Sequence, residues 1–141
     1  MVNSIEKGKR GEREFRDLVN KIFNYTKEQG VQRTPNSGGL SIKGDLIQLK
    51  GALSKYHFEV KNEKSVRMPA YIRQAEDDCS FDKTPVVAYK CMGKWYCSLE
   101  AGSFLQLIKK LDDLIVDAGK IYHIDPQVDS LIKEVAKDDS K

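Results

Sequence analysis

The order of patterned segments predicts an α/β fold, a central mixed β-sheet flanked by helices. Three observations carry this. An amphipathic stretch over 4–25 comes first, two alternating segments at 44–50 and 55–61 follow, and a Pro-initiated helical segment over 70–80 then leads into two β-branched and aromatic segments. At 141 residues with 40% hydrophobic and 32% charged content, the chain suits one domain with its own core. A single domain over 1–141 is therefore expected, with a core over about 4–100 and a helical part over about 101–141.

Residues 4–25 place Ile5, Gly8, Phe15, Leu18, Val19, Ile22 and Phe23 at the spacing of one helical face. The same stripe, continued through its gap, lands on Glu12. A carboxylate on a buried stripe needs a partner, because an unpaired charge out of water is costly. Gly8 and Gly11 lower helix propensity by about 1 kcal/mol each relative to Ala, which fits a close approach of something to the helix there.

The segment "TPNSGG" at 34–39 is turn chemistry. "GDLIQLK" and "KYHFEVK" read as strands, and "GALS" between them suits an antiparallel hairpin. With that turn centred on Ala52, Asp45 falls opposite Glu59, and directly opposed Cβ atoms lie about 4.5 to 5.5 Å apart. Glu59 and Lys61 share one strand face, about 7 Å apart, while Val60 points the other way.

Pro69 marks the next helix, with Met68, Ile72, Ala75 and Cys79 on one stripe and Arg67, Tyr71, Gln74 and Asp78 on its neighbour. Strands are expected at 85–91 and 94–99 around a turn at Met92 and Gly93, giving a sheet of four or five strands with 45–49 and 56–61. An amphipathic helix over 103–118, a short strand "IYHI" and a last helix from about Pro126 complete the chain.

Charge is unevenly spread. Residues 1–67 carry 14 Lys and Arg against 8 Asp and Glu, and the remainder carries 10 against 13. A basic half around a candidate site suggests a polyanionic partner, though a solvated charged face has the same composition. No apolar run approaches the roughly 20 residues of a membrane span, and "MVNSIEKGKRGER" lacks the apolar core of a secretory signal. The expected location is the cytoplasm, of a host cell if the chain is phage-encoded. Cys79, Cys91 and Cys97 lack paired short spacing and read as structural or incidental thiols. His57 has no ligand spacing to His123 and reads as packing, as do Tyr89, Trp95 and Tyr96.

Two carboxylates held together repel, and a divalent cation resolves the repulsion. Mg²⁺ takes hard oxygen ligands, commonly one or two carboxylates with water and phosphate oxygens. A neighbouring lysine can orient water or stabilise charge on phosphorus. Asp45, Glu59 and Lys61 thus point to phosphodiester hydrolysis, with Mg²⁺ as cofactor and Mn²⁺ able to substitute.

"GDLI" followed by "FEVK" resembles the core of the PD-(D/E)XK nuclease superfamily. "KGKRGEREF" and "RTPNSGG" resemble its archaeal-type Holliday junction resolvase branch and phage-encoded relatives, and "MPAYIRQAEDDC" with "PVVAYK...GKWYCSLE" extends the likeness to about residue 100. The resemblance implies a restriction-endonuclease-like three-layer core. It implies Glu12, Asp45, Glu59 and Lys61 as catalytic residues, assisted by Gln74, with Asp45, Glu59 and the Val60 carbonyl as metal ligands. It also implies DNA contacts from Arg33 and from the loop of Ser37, Gly38 and Gly39. Lys7, Lys9, Arg10 and Arg13, beside Glu12, are expected to touch phosphates as well. Gly44 departs from the motif's Pro.

The expected partner is therefore DNA, favouring a four-way junction, with no membrane. Two symmetric cuts from a chain with one site imply a homodimer, with "PVVAY" and the helix at 103–118 as candidate contacts. Two alternatives remain: a phage or mobile-element nuclease acting on flaps, nicks or duplex, and a catalytically inactive DNA-binding protein of the same fold.

Overall fold

The computed structural model describes residues 3–35, 42–121, 130, 133 and 134. It divides into two units, 1–99 and 100–141, described separately below.

Helix α1 spans Ser4–Ile22, and the Asn3 side chain accepts the Ile5 amide at 3.0 Å to cap its start. It stops at Ile22, short of the expected residue 25, because Asn24 takes a left-handed φ of 54° just past the cap. Gly11, Phe15 and Val19 form its buried row. Ile5, Ile22 and Phe23, placed on that face by periodicity, are exposed at the helix ends, beyond the reach of the sheet.

The first unit holds two small sheets among the described residues. Strands β1 (Gln32–Arg33) and β2 (Leu46–Ile47) pair antiparallel. Strands β3 (Tyr56–Lys61), β4 (Thr84–Cys91) and β5 (Lys94–Ser98) form a mixed sheet in that order. β3 and β4 run parallel, with Glu59 beside Val87 and Lys61 beside Tyr89. Helix α2 (Met68–Asp78) makes the crossover that parallel neighbours need. β4 and β5 are antiparallel around Met92 and Gly93, whose φ values of 49° and 76° suit a tight two-residue hairpin.

The expected hairpin between 45–49 and 56–61 does not form. Gln48 at φ 61° ends the extended run after Ile47, and Gly51–Lys55 is a 3-10 turn. β2 therefore pairs with β1, and among the described residues the main sheet has three strands, fewer than the four or five expected.

Alternation along the strands builds three layers. Phe58, Val60, Val86 and Ala88 meet Phe15 and Val19 of α1, with Val31 and Leu46. On the opposite face Val87 meets Tyr71 and Ala75 of α2. Ile72, expected on the buried stripe of α2, is exposed, and Tyr71 takes the interior place. Val86, Val87 and Ala88 of "PVVAY" are buried within the chain's own core, and Pro85 and Tyr89 are half-buried. This is an α/β architecture with helices on both faces of a mixed sheet, a restriction-endonuclease-like core.

In the second unit α3 spans Ala101–Ile121, and the Glu100 carboxylate accepts the Gly102 and Ser103 amides at 2.8 and 2.9 Å. Ile121, expected to open a strand, is helical; the rest of that segment lies outside the described residues. Of the expected last helix only residues 130, 133 and 134 are described, and they are helical. No helix among the described residues is long and apolar enough to cross a membrane.

Candidate active site

β3 is the edge strand of the mixed sheet, and the candidate residues gather beside it. Odd-numbered side chains of β3 face the α2 layer, which sends His57, Glu59 and Lys61 to one side. Glu59 is buried, at 4% exposure. Its Oε1 lies 2.7 Å from the Lys61 ammonium, which also donates to Gln74 Oε1 at 2.8 Å. The Tyr71 ring supports the same ammonium, 5.5 Å from its centroid. Lys61 thus has one acid, one amide and one aromatic face around it.

Asp45 reaches this place without a strand ladder. Its amide donates to the Phe58 carbonyl at 3.0 Å, its carbonyl accepts the Thr34 amide at 2.9 Å, and its Oδ2 accepts the Val60 amide at 2.6 Å. These bonds bracket Glu59, so the two carboxylates converge as the sequence suggests, by a different route. The Asp45 carboxyl is pushed up to about 7, first by burial and then by the Glu59 charge, with Glu12 adding to it; the Val60 amide and Lys61 pull the other way.

Gly44 supports this placement. Its φ is 89°, and a Cβ there would lie 3.1 Å from His57 Cε1. Proline, held near −65°, does not fit this backbone. The departure from the motif is thus a local packing solution, with the buried His57 ring filling the space beside Asp45. Burial lowers the His57 pKa, and its Nε2 has no hydrogen-bond partner among the described residues.

Glu12 enters from α1. Next to it, a Cβ on Gly11 would lie 2.5 Å from Asn62 Cβ, and Asn62 donates to the Lys7 carbonyl at 3.1 Å. Gly11 therefore lets α1 rest on the residue after Lys61, as its low helix propensity suggests. Gly8 differs: nothing lies within 4 Å of its missing Cβ, and it borders an open cleft. Glu12 pairs with Arg33 at 3.0 Å, so Arg33, expected at DNA, is engaged at the site itself.

The cleft has a volume of about 720 Å³ and is bordered by Glu12, Asp45, Glu59, Lys61 and Gln74. Lys7 and Lys64 line it without an ion pair among the described residues. Lys9 and Arg13 lie within 3.6 and 3.9 Å of Glu6, and Arg10 lies 3.9 Å from Glu14, so three of the four cations expected at phosphates have acids on their own helix. Ser37, Gly38 and Gly39 lie outside the described residues. Sequence reasoning overlooked Asn62 and Lys64, and left Tyr71 without a role. The Arg67–Tyr71–Gln74–Asp78 spacing held that signal, since Arg67, Gln74 and Asp78 border the cleft and Tyr71 lies beneath Lys61. Tyr71 donates to Glu63 at 2.7 Å, and this bond, with those from Arg67, lowers the Glu63 pKa.

The described residues contain no cluster of three or more His, Cys, Asp or Glu placed to hold a metal. Asp45 and Glu59, which line the cleft with Val60, nevertheless offer hard oxygen donors. Burial and the Glu59 charge outweigh the pull of the Val60 amide and Lys61 on the Asp45 carboxyl, and a divalent cation beside the two carboxylates would offset that repulsion. The donor set fits such an ion.

A buried Asp–Glu pair with a lysine two residues after the Glu, on the edge strand of a mixed sheet layered between helices, matches the PD-(D/E)XK pattern. The whole chain agrees. Residues 3–136 match the model of the family described as "Phage putative PDDEXK endonuclease", and the chain belongs to that family. No curated protein and no solved structure gives a significant match.

Proposed function

We propose that this protein is a Mg²⁺-dependent endodeoxyribonuclease, with Mn²⁺ able to substitute, and that it acts on branched DNA, four-way junctions foremost, as a homodimer. The observation that carries the chemistry is the Asp45, Glu59, Lys61 and Gln74 constellation, in which one carboxyl is already held near 7. The ion's place is on Asp45, Glu59 and the Val60 carbonyl. When bound, it supplies Lewis-acid polarisation of the phosphodiester and of an attacking water.

The protein's own groups do the rest. Gln74 and the Tyr71 face fix the Lys61 ammonium, which orients the water and stabilises charge on phosphorus. Arg33 holds Glu12 at the edge of the site. Lys7 and Lys64, which line the cleft, are assigned to phosphates, and the open side of Gly8 leaves room for a backbone to pass close to α1. Lys9, Arg10 and Arg13 form the outer basic surface of the same helix, and Ser37, Gly38 and Gly39 are assigned to the DNA backbone from their motif.

Junction preference is supported by the resolvase-like "KGKRGEREF" and "RTPNSGG" segments, and two symmetric cuts by chains with one site each require two copies. A second reading, a nuclease acting on flaps, nicks or duplex, is favoured by the family's description as phage endonucleases. Labelled junction, flap, nicked, duplex and single-stranded DNA, each with Mg²⁺, Mn²⁺ or EDTA, separate the two. Paired cuts in opposing junction strands that vanish in EDTA are expected. Equal cutting of linear duplex supports the second reading, and no cutting of any DNA refutes both.

A further inference from the structure

Helix α3 carries a pattern that the nuclease chemistry does not use. Ala101, Phe104, Ile108, Leu111, Ile115 and Ala118 recur at alternating spacings of three and four, with Leu107 and Leu114 on the adjoining row. This is the a/d spacing that lets helices pack as in a coiled coil, sustained for about two and a half heptads. Phe104, Leu107, Ile108, Leu111, Leu114 and Ile115 are between 42 and 66% exposed.

The rest of α3 narrows the partner. Lys109 and Lys110 are outnumbered by Asp112, Asp113 and Asp117, so the polar face lacks the positive excess that anionic lipid or DNA selects. The exposed seam offers on the order of 600 Å². That exceeds the ~400 Å² per partner of casual contacts and approaches the ~800 Å² of stable ones. Its layers run Ala, Phe, Ile, Leu, Ile, Ala, small at both ends and bulky between. Reversed, the series matches itself: Ala101 meets Ala118, Phe104 meets Ile115, and Ile108 meets Leu111. Antiparallel pairing also sets the helix dipoles head to tail.

We infer that α3 pairs antiparallel with α3 of a second copy and that this seam makes the homodimer. The inference rests on the two-site reading above for its purpose and on α3 for its geometry. Sedimentation equilibrium of the full chain in EDTA should give twice the 16.0 kDa chain mass. Leu111→Glu should weaken association by at least about tenfold, placing a charge in the central layer. With Cys79, Cys91 and Cys97 replaced by Ala, oxidation should crosslink the Phe104→Cys, Ile115→Cys double variant into dimers and leave the Phe104→Cys single variant uncrosslinked. A wild-type monomer at all concentrations, in which α3 serves its own chain, overturns the inference, as does a Leu111→Glu dimer of unchanged affinity. Crosslinking of the single variant overturns the antiparallel register. A dimer that cuts no junction refutes the junction reading and leaves this one standing, whereas a monomer that resolves junctions does the reverse.

Discussion

Replacing Asp45 with Asn should stabilise the metal-free protein while abolishing cleavage. Asp45 is 8% exposed, and its carboxyl is carried from 3.8 to about 7, by burial first and the Glu59 charge second. Between those values the folded chain keeps a proton that the unfolded chain has released. The stability tied to this group is therefore complete below about pH 4 and drains away as pH rises through about 7. Above neutral pH the ionised group costs the fold about 4 kcal/mol. Asn carries no charge and still offers an oxygen to the Val60 amide, which Asp45 Oδ2 accepts at 2.6 Å. Urea titrations in EDTA should show Asp45→Asn more stable by up to about 4 kcal/mol at pH 8, with the gap closing toward pH 4. Added Mg²⁺ should stabilise wild type more than the variant, because the variant keeps only the Glu59 carboxylate of the two charged ligands. A variant less stable than wild type at pH 8, or a gap that does not change with pH, would falsify the assignment of burial and Glu59 as causes. Wild-type cleavage by the variant would reject Asp45 as a ligand.

Four further outcomes follow from the geometry. Gly8→Ala should raise stability by about 1 kcal/mol in thermal unfolding, since its added Cβ meets nothing, yet slow cleavage if a DNA strand passes there. Gly11→Ala should instead lose about 1 to 3 kcal/mol against Asn62, and equal stability of the two variants would refute this contrast. Tyr71→Phe keeps the ring under Lys61 and should hold kcat within about threefold, whereas Tyr71→Leu should lower it about tenfold with little change in KM; equal kcat for both would remove the ring from the site's account. Lys64→Ala should reduce the salt dependence of DNA binding, measured as the slope of log K against log salt, by about 0.9, and an unchanged slope would place Lys64 away from phosphate.

Much of this protein was legible in sequence because the signals are local. The row Gly11, Phe15 and Val19, the alternation of β3, the Pro-led start of α2 and the Met92–Gly93 turn each depend on a few neighbouring residues. Glu12, Asp45, Glu59 and Lys61 likewise stand out by residue type and order, whereas Gln74 is pointed to only by the family resemblance. Tertiary structure decided what local pattern leaves open. Gln48 at φ 61° and the 3-10 turn at Gly51–Lys55 sent β2 to β1, an outcome hidden because alternation gives a strand's faces and not its partner. Asp45 still reached Glu59 through hydrogen bonds to Phe58 and Val60. Burial fixed the rest: it chose Tyr71 over Ile72 for the interior, turned Arg33 to Glu12, and pushed Asp45 up to about 7. Desolvation and close charge depend on atoms brought together from distant parts of the chain, so the sequence named the groups while only the folded structure set their chemistry.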